Sequence, residues 1–391
     1  MKVLIVHNYY ASKGGEDVVF ESECDLLKKY INVRCYSRNN SDIEGFFSKL
    51  FCFLSAPFSF FSFFKILYVL LTYKPDVVHV HNFFPIISPS VFYACRLCKI
   101  PSVLTLHNFR IVCPTSSLFY KGCIEKRSIF GKVGWGVYSR VYKNSYLASA
   151  ILVFMIHLHK KVGTWTHVVD KFIALSYDSK DIFVSAGLPA RKITVKPNFT
   201  QSLSDTDIVD VKSPEKYAVF VGRLVEEKGI KVLLKAWADI DFPLVILGDG
   251  PLSDLITTSN NKNIIFLGQQ SKGVVASYVR NAVFSVVPSV WHEPFGLVVI
   301  ESYALSTPVI GADIGGVGEN VYDKKSGLKF QCGNPESLKD KVLWMINHPH
   351  ETIEMGQYSY NLFLSKFSPE KNCNLLIDIY EEVIDEVVKR K

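Results

Sequence analysis

The chain has 391 residues, enough for two domains that each bury a core, and its 48% hydrophobic against 21% charged residues exclude intrinsic disorder. Lys and Arg outnumber Asp and Glu by 44 to 37, a balance that suits anionic partners such as nucleotide diphosphates or an anionic membrane surface. No Lys/Arg-rich run or aromatic RNA-binding signature appears, so nucleic acid is not an expected partner.

Lys2–Val6 reads as a first buried strand and is too short for a signal peptide, so the nine cysteines are expected to be reduced thiols in the cytoplasm. Gly14-Gly15-Glu16 comes next, before a helix beginning near Asp17. It is either a plain turn or a loop whose backbone approaches a phosphate at a helix start. Asn32–Tyr36 is a further strand. Residues 46–71 are unusually aromatic: Leu50 to Phe64 holds seven phenylalanines and no charge, bracketed by Lys49 and Lys65. Fifteen residues interrupted by Pro57 fall short of a membrane span. Two readings stay open, a buried amphipathic helix pair or a surface that dips into a membrane with lysines near the headgroups. Asp76–Val80 and Ser102–His107 are predicted strands, ending in His79-Val-His81-Asn82 and Thr105-Leu-His107-Asn108. His79 and His81 are open between structural and functional roles. Cys95-x-x-Cys98 has no second pair at zinc spacing, so these cysteines, like Cys113 and Cys123, are read as core filling. Leu147–Leu158 is predicted as a core helix, and Phe172–Ser176 and Ile193–Lys196 as further strands.

Polar, aperiodic residues from Gln201 to Pro214 mark a junction near Pro197-Asn198. Beyond it the alternation repeats, with strands predicted at Tyr217–Gly222, Pro243–Gly248, Asn263–Gly268, Val283–Ser289, Pro308–Ala312 and Gly327–Phe330. Gly222-Arg223-x4-Lys228-Gly229 ends the first of these, and its planar guanidinium and flexible ammonium both suit phosphate. Glu293-x7-Glu301 sets two carboxylates around a predicted helix start, a separation of ~12 Å if all eight residues are helical. Between them the amides of Phe295, Gly296 and Leu297 face an anion. Gly315-Gly316 reads as a tight turn behind this segment, with Glu319 bracing it. Gly248-Asp249-Gly250 and Gly268-Gln269-Gln270 end neighbouring strands. The tail opens with Ser368-Pro369-Glu370, a helix-start signal, and Leu375, Leu376, Ile379, Tyr380, Val383, Ile384 and Val387 form one apolar face.

The Glu293-x7-Glu301 pair after the Pro288-Ser289 strand end, Gly315-Gly316-x-x-Glu319 and Gly222-Arg223-x4-Lys228-Gly229 together resemble glycosyltransferase family 4, and the resemblance runs over nearly the whole chain. It implies retaining, metal-independent enzymes of the GT-B fold, such as those that build bacterial surface polysaccharides. The expected architecture is α/β, with two doubly wound Rossmann-like domains facing a central cleft. Residues 1–197 plus the returning C-terminal helix 369–391 would form the acceptor-side domain, and residues 198–368 the nucleotide-sugar domain. By resemblance the catalytic residues are His107, Glu293, Arg223 and Lys228. The donor-binding residues are Gly14, Gly15, Ser176, Arg223, Lys228, Phe295, Gly296, Leu297 and Glu301. Arg223 and Lys228 would hold the diphosphate, Glu293 the sugar and Glu301 the ribose.

The resemblance implies no metal and no cofactor besides the donor, a UDP- or GDP-sugar, with a saccharide, commonly lipid-linked, as acceptor. The location would be cytoplasmic, peripheral on the inner face of the plasma membrane where the aromatic stretch meets lipid. A non-catalytic glycosyltransferase-like subunit or a sugar-nucleotide epimerase of the same fold is the alternative.

Overall fold

The computed structural model describes residues 1–10, 14–43, 45, 52–201 and 209–389. The chain forms two compact units, one of residues 1–120, 125–196 and 373–391 and the other of residues 121–124 and 197–372.

The first unit is built on six parallel strands: β1 (Lys2–Tyr9), β2 (Asn32–Asn39), β3 (Val77–Val80), β4 (Ser102–Leu106), β5 (Lys171–Ala174) and β6 (Ile193–Val195), in spatial order β2-β1-β3-β4-β5-β6. Val3 to Val6 are wholly buried, as continuous apolar runs must be where helices cover both faces of a parallel sheet. Helix α1 (Gly15–Leu27) follows β1. The strand order reverses between β1 and β3, and in open α/β sheets ligands bind beyond the carboxyl ends of the strands at such a reversal.

Part of the aromatic stretch, residues 46–51, lies outside the described residues. Of the two readings left open, the rest departs from the buried helix pair, because one side of its helix is exposed. Helix α2 (Phe60–Tyr73) is capped by Ser59, whose hydroxyl accepts the Ser62 N–H at 3.2 Å. It turns Ile66, Val69 and Leu70 inward and leaves Phe60, Phe61, Phe64, Tyr68 and Leu71 exposed. A helix apolar on every side has only one side to offer the core. Among the described residues no helix is long and apolar enough to cross a membrane. Helix α3 (Ser90–Cys98) buries Cys95 and half-buries Cys98. Helix α4 (Tyr146–Lys161) is a core helix on one side only, burying Leu152, Met155 and Ile156 and exposing Leu147 and Phe154. Helix α5 (Tyr177–Ser185) follows β5.

The second unit repeats the scheme with β7 (Ala218–Val221), β8 (Leu244–Leu247), β9 (Ile264–Gly268), β10 (Phe284–Val287), β11 (Val309–Ala312) and β12 (Gly327–Phe330), in order β9-β8-β7-β10-β11-β12. Counted within the unit this is 3-2-1-4-5-6, the dinucleotide-fold order, with its switch point between β7 and β10. All the strands predicted from apolar runs form, most of them shorter by a residue or two at their ends. The helices that bear on the site are α6 (Ile230–Ala236), α7 (Lys272–Asn281), α8 (Leu297–Tyr303) and α9 (Gly315–Asn320). Helices α10 (Pro335–Asn347) and α11 (Pro349–Leu362) complete the unit.

The last helix, α12 (Pro369–Val388), starts at the predicted proline, and its residues from Cys373 onward belong to the first unit. Leu376, Ile379, Tyr380 and Val383 are buried there, whereas Leu375 turns outward and Ile384 and Val387 are half-buried. Lys171, almost wholly buried, holds the helix through Glu382 at 2.7 Å.

Candidate active site

In the second unit the candidate residues gather at the β7/β10 switch point. The loop leaving β7 carries Arg223 and Lys228 and ends at Gly229, which has φ +74 and precedes α6. A Cβ at Gly229 would overlap the Pro288 carbonyl, so glycine lets this loop press onto the end of β10. The Val290 N–H donates to the Glu227 carbonyl at 2.9 Å and locks the two loops together. Lys228 Nζ thereby reaches Glu293 Oε1 at 2.6 Å, while Ser289 Oγ donates to Glu293 Oε2 at 2.9 Å. Both members of the ion pair keep a fraction of their surface, with side chains 18% and 12% exposed. Arg223 is far freer at 71%, its Nη2 4.0 Å from Glu227.

Glu293 stands before α8 and not on it, because the helix begins only at Leu297. The interval to Glu301 is therefore a bend followed by about one turn, and the expected eight-residue helical rise does not hold. Phe295, Gly296 and Leu297 form that bend, with Gly296 at φ +82. The bend is braced from behind: Gly316 N–H donates to the Glu293 carbonyl at 2.7 Å, and Asn320 Nδ2 donates to the Phe295 carbonyl at 2.8 Å. Gly315, at φ +58, and Gly316 sit so close to residues 292–295 that neither could carry a side chain unshifted. They open helix α9, where the sequence suggested a turn. Glu301 lies one turn into α8 with its side chain exposed.

Two Asp-x-Asp spacings, a pattern that can hold a metal, occur in the chain. Asp205-Thr-Asp207 lies outside the described residues. Asp239-Ile-Asp241 precedes β8, at the amino ends of the strands and away from the carboxyl ends where the site lies, and there Lys339 pairs with Asp239 at 3.1 Å and Asn263 donates to Asp241 at 3.0 Å.

In the first unit Gly14 precedes α1, and its N–H donates to Asp17 Oδ2 at 2.8 Å. Asp17 Oδ1 meets His7 Nε2 at 2.7 Å, which fixes the helix start to β1. Among the described residues a Cβ on Gly14 would meet nothing within 4 Å. His107 comes near this loop through its neighbours: Asn108 Nδ2 donates to Glu16 Oε2 at 3.1 Å, joining the residue after His107 to the residue after Gly15. Burial pushes the Glu16 carboxyl up to about 8, although Arg110 and Asn108 oppose it. Ser176 is engaged as the cap of α5, accepting the Ser179 N–H at 3.2 Å and bonding to its hydroxyl at 3.0 Å.

The largest surprise is a buried polar cluster beneath His107. His81 Nδ1 lies 3.0 Å from His107 Nε2, and His81 Nε2 lies 3.3 Å from Glu23 Oε2. Lys196 Nζ donates to Glu23 Oε1 at 2.7 Å. His79 bonds to Tyr380 of α12 through Nδ1 and to Thr105 through Nε2, each at 2.7 Å. Burial lowers the basicity of His79 and of His107 well below the usual value, and the neighbouring His81 adds to this. Burial alone would raise the Glu23 carboxyl, but Lys196 and the His81 contact outweigh it and hold it well below the ordinary range. Glu23 and Lys196 were given no functional role from sequence, and Tyr380 was read only as part of the apolar face of the last helix. One signal was available: Glu23 interrupts the apolar stripe of Val19, Phe20, Cys24 and Leu27.

Comparison with known proteins adds the following. The model of glycosyltransferase family 4 matches residues 14–201, and that of glycosyl transferases group 1 matches residues 204–362. An uncharacterized glycosyltransferase of Methanocaldococcus jannaschii is 39% identical over 43% of this chain. The chain spans about half, 49%, of that relative's length. The putative teichuronic acid biosynthesis glycosyltransferase TuaC of Bacillus subtilis is 28% identical over 79% of this chain and 71% of its own. The fold matches that of Anabaena HepE, solved in complex with UDP, at a TM-score of 0.67 and 16% identity over 98% of this chain and 100% of that one.

Proposed function

This chain belongs to glycosyltransferase family 4, and on that premise we propose that it is a retaining, metal-independent enzyme that moves a sugar from a UDP- or GDP-sugar to a saccharide acceptor in the assembly of a surface polysaccharide. One observation carries the reading: Lys228 and Glu293 are drawn into contact at the switch point of the 3-2-1-4-5-6 sheet, where such folds bind nucleotides. Support for a uridine nucleotide comes from the Anabaena protein, whose complexes contain UDP and UDP-glucose.

In this reading the donor diphosphate takes Lys228 away from Glu293. The exposed guanidinium of Arg223 forks onto the same anion. Glu293, released from its ammonium partner but still held by Ser289, turns to the sugar hydroxyls, and Glu301 takes the ribose. As the sugar–phosphate bond breaks, charge accumulates on the leaving diphosphate, so Arg223 and Lys228 stabilise the transition state more than the bound donor. An oxygen of that diphosphate removes the proton from the acceptor hydroxyl on the face the leaving group vacates. By the family resemblance His107 takes a catalytic role and the Gly14-Gly15 backbone a donor-binding one.

The exposed aromatic face of α2, with Lys65 stacked 4.5 Å above the Phe61 ring, supports an acceptor met at a lipid surface. Proton NMR of the product tests the reading. A retained anomeric centre formed at full rate in EDTA is the expected result; inversion, or loss of turnover in EDTA, overturns it. Co-sedimentation with anionic vesicles, lost in Phe61→Ser/Phe64→Ser, tests the lipid contact.

A further inference from the structure

We infer that Glu23 is a positioning residue: through His81 it holds the His107 imidazole as the tautomer protonated on Nε2, with Nδ1 left as a hydrogen-bond acceptor. The inference rests on the reading that His107 faces substrate and specifies what His107 can do there.

Donor and acceptor counting along the buried row leads to this assignment. Lys196 has only donors, so its 2.7 Å bond occupies Glu23 Oε1 as an acceptor. Glu23 Oε2 can only accept in turn, and its neighbour at 3.3 Å is His81 Nε2. The contact falls short of hydrogen-bond geometry and neither atom has a hydrogen-bond partner among the described residues, so each is the polar atom left to the other, and an unprotonated Nε2 would set two lone pairs face to face. His81 Nε2 therefore carries a proton. Whether His81 Nδ1 carries one as well is a matter of charge. Glu23 already balances the Lys196 ammonium, and both side chains are almost wholly buried. A doubly protonated His81 would add an uncompensated cation to that interior, with the His79 ring 4.3 Å away and itself held neutral by burial. His81 is thus neutral, and its Nδ1 accepts. The atom 3.0 Å from it, His107 Nε2, must be the donor. Nδ1 of His107 is then a lone pair.

Three elements enforce this order, since Glu23 comes from α1, His81 follows β3 and His107 follows β4. The chemical consequence is a polarity: His107 accepts a hydrogen bond, or a proton, from a substrate hydroxyl and does not donate one. A sugar or acceptor whose facing hydroxyl is replaced by fluorine or a methyl ether should therefore bind more weakly, although either replacement could still accept a hydrogen bond.

The test is the tautomer itself, read by two-dimensional ¹⁵N NMR on histidine-labelled full-length protein without ligand, with His81→Gln and His107→Gln used for assignment. The expected spectrum shows protonated Nε2 and unprotonated Nδ1 for both residues. A proton on Nδ1 of His107, or a doubly protonated His81, overturns the inference. Glu23→Gln sharpens it. The glutamine oxygen must face Lys196, which turns the amide NH₂ toward His81 Nε2 and makes that atom an acceptor. Both rings should then flip to the Nδ1–H form, and kcat should fall at least ~10-fold with the donor KM unchanged, as when a triad histidine is held in the wrong tautomer. An unflipped His107 in folded Glu23→Gln overturns the positioning role. If the native spectrum is as expected but His107→Ala transfers sugar at the native rate, the relay stands and the substrate-facing role of His107 fails.

Discussion

The two units present their candidate residues in opposite physical settings. In the first, His79, His81, Glu23 and Lys196 lie inside the protein, each bonded to another polar group, with His107 at their edge. In the second, Arg223, Lys228, Glu293 and Glu301 lie on loops and a short helix, and the Lys228–Glu293 ion pair keeps part of its surface in solvent. A buried polar row is costly to disturb because each member leaves a charged or hydrogen-bonding partner stranded. A single ion pair that still reaches solvent strands less when it opens, and it can trade partners when an anion arrives. The first arrangement holds a geometry and the second waits for a ligand.

The sharpest way to break this contrast is to remove one member from each side. Lys196→Met leaves the Glu23 carboxylate buried without its balancing cation, so chemical denaturation should show a loss of about 3–5 kcal/mol. If stability is unchanged, the buried row is not a structural element. Lys228→Ala should lower turnover by roughly 10²–10³-fold, the size seen when one charge-stabilising donor is lost, with little change in melting temperature. A melting point that collapses with the activity would put Lys228 among the structural residues.

Acidity separates the units further. His7, lowered to about 4 chiefly by burial, and His79 and His107, lowered well below 6.5, bind protons more readily unfolded. Their contribution to stability therefore shrinks as pH falls from about 6.5 toward 4. Glu16, raised to about 8, works the other way, since its proton stays on longer in the folded chain and its contribution is lost as pH rises from 4.5 to 8. Glu16→Gln removes the opposing effect. Stability measured between pH 4.5 and 6.5 should then rise more steeply, by up to ~1.4 kcal/mol per pH unit. Tyr380→Phe leaves His79 Nδ1 without its partner and should cost about 1–3 kcal/mol in urea unfolding, loosening α12 first in hydrogen exchange. Arg223→Ala is the smallest case for the fold, within about 0.5 kcal/mol, because that side chain is mostly in solvent. Its effect belongs in donor affinity, measured by calorimetric titration with UDP.

Much of this was legible along the chain. Strands buried on both faces must be continuous apolar runs, which is why β1 through β12 could be read from composition and spacing. The Gly229 and Gly315-Gly316 positions were legible too, since residues without a side chain beside charged ones mark where backbone comes close. A helix start between Glu293 and Glu301 was legible as well, but the bend of residues 293–296 that leads into it was not, because a braced bend has no period of its own. For α2 an exposed aromatic surface was one of two readings, and which side would turn outward was hidden, since a segment apolar all round does not say which side the sheet will take.

By itself, then, the order of residues determined the elements, the two sheets' strands and the cations and carboxylates at their ends, since these depend on local periodicity and residue chemistry. Only the tertiary structure decided which of them meet. Glu23, Lys196 and His81 are far apart along the chain, and no local pattern links them. Their row exists because strand order brings the carboxyl ends of β3, β4 and β6 beside α1, where a buried carboxylate must find a cation or be protonated.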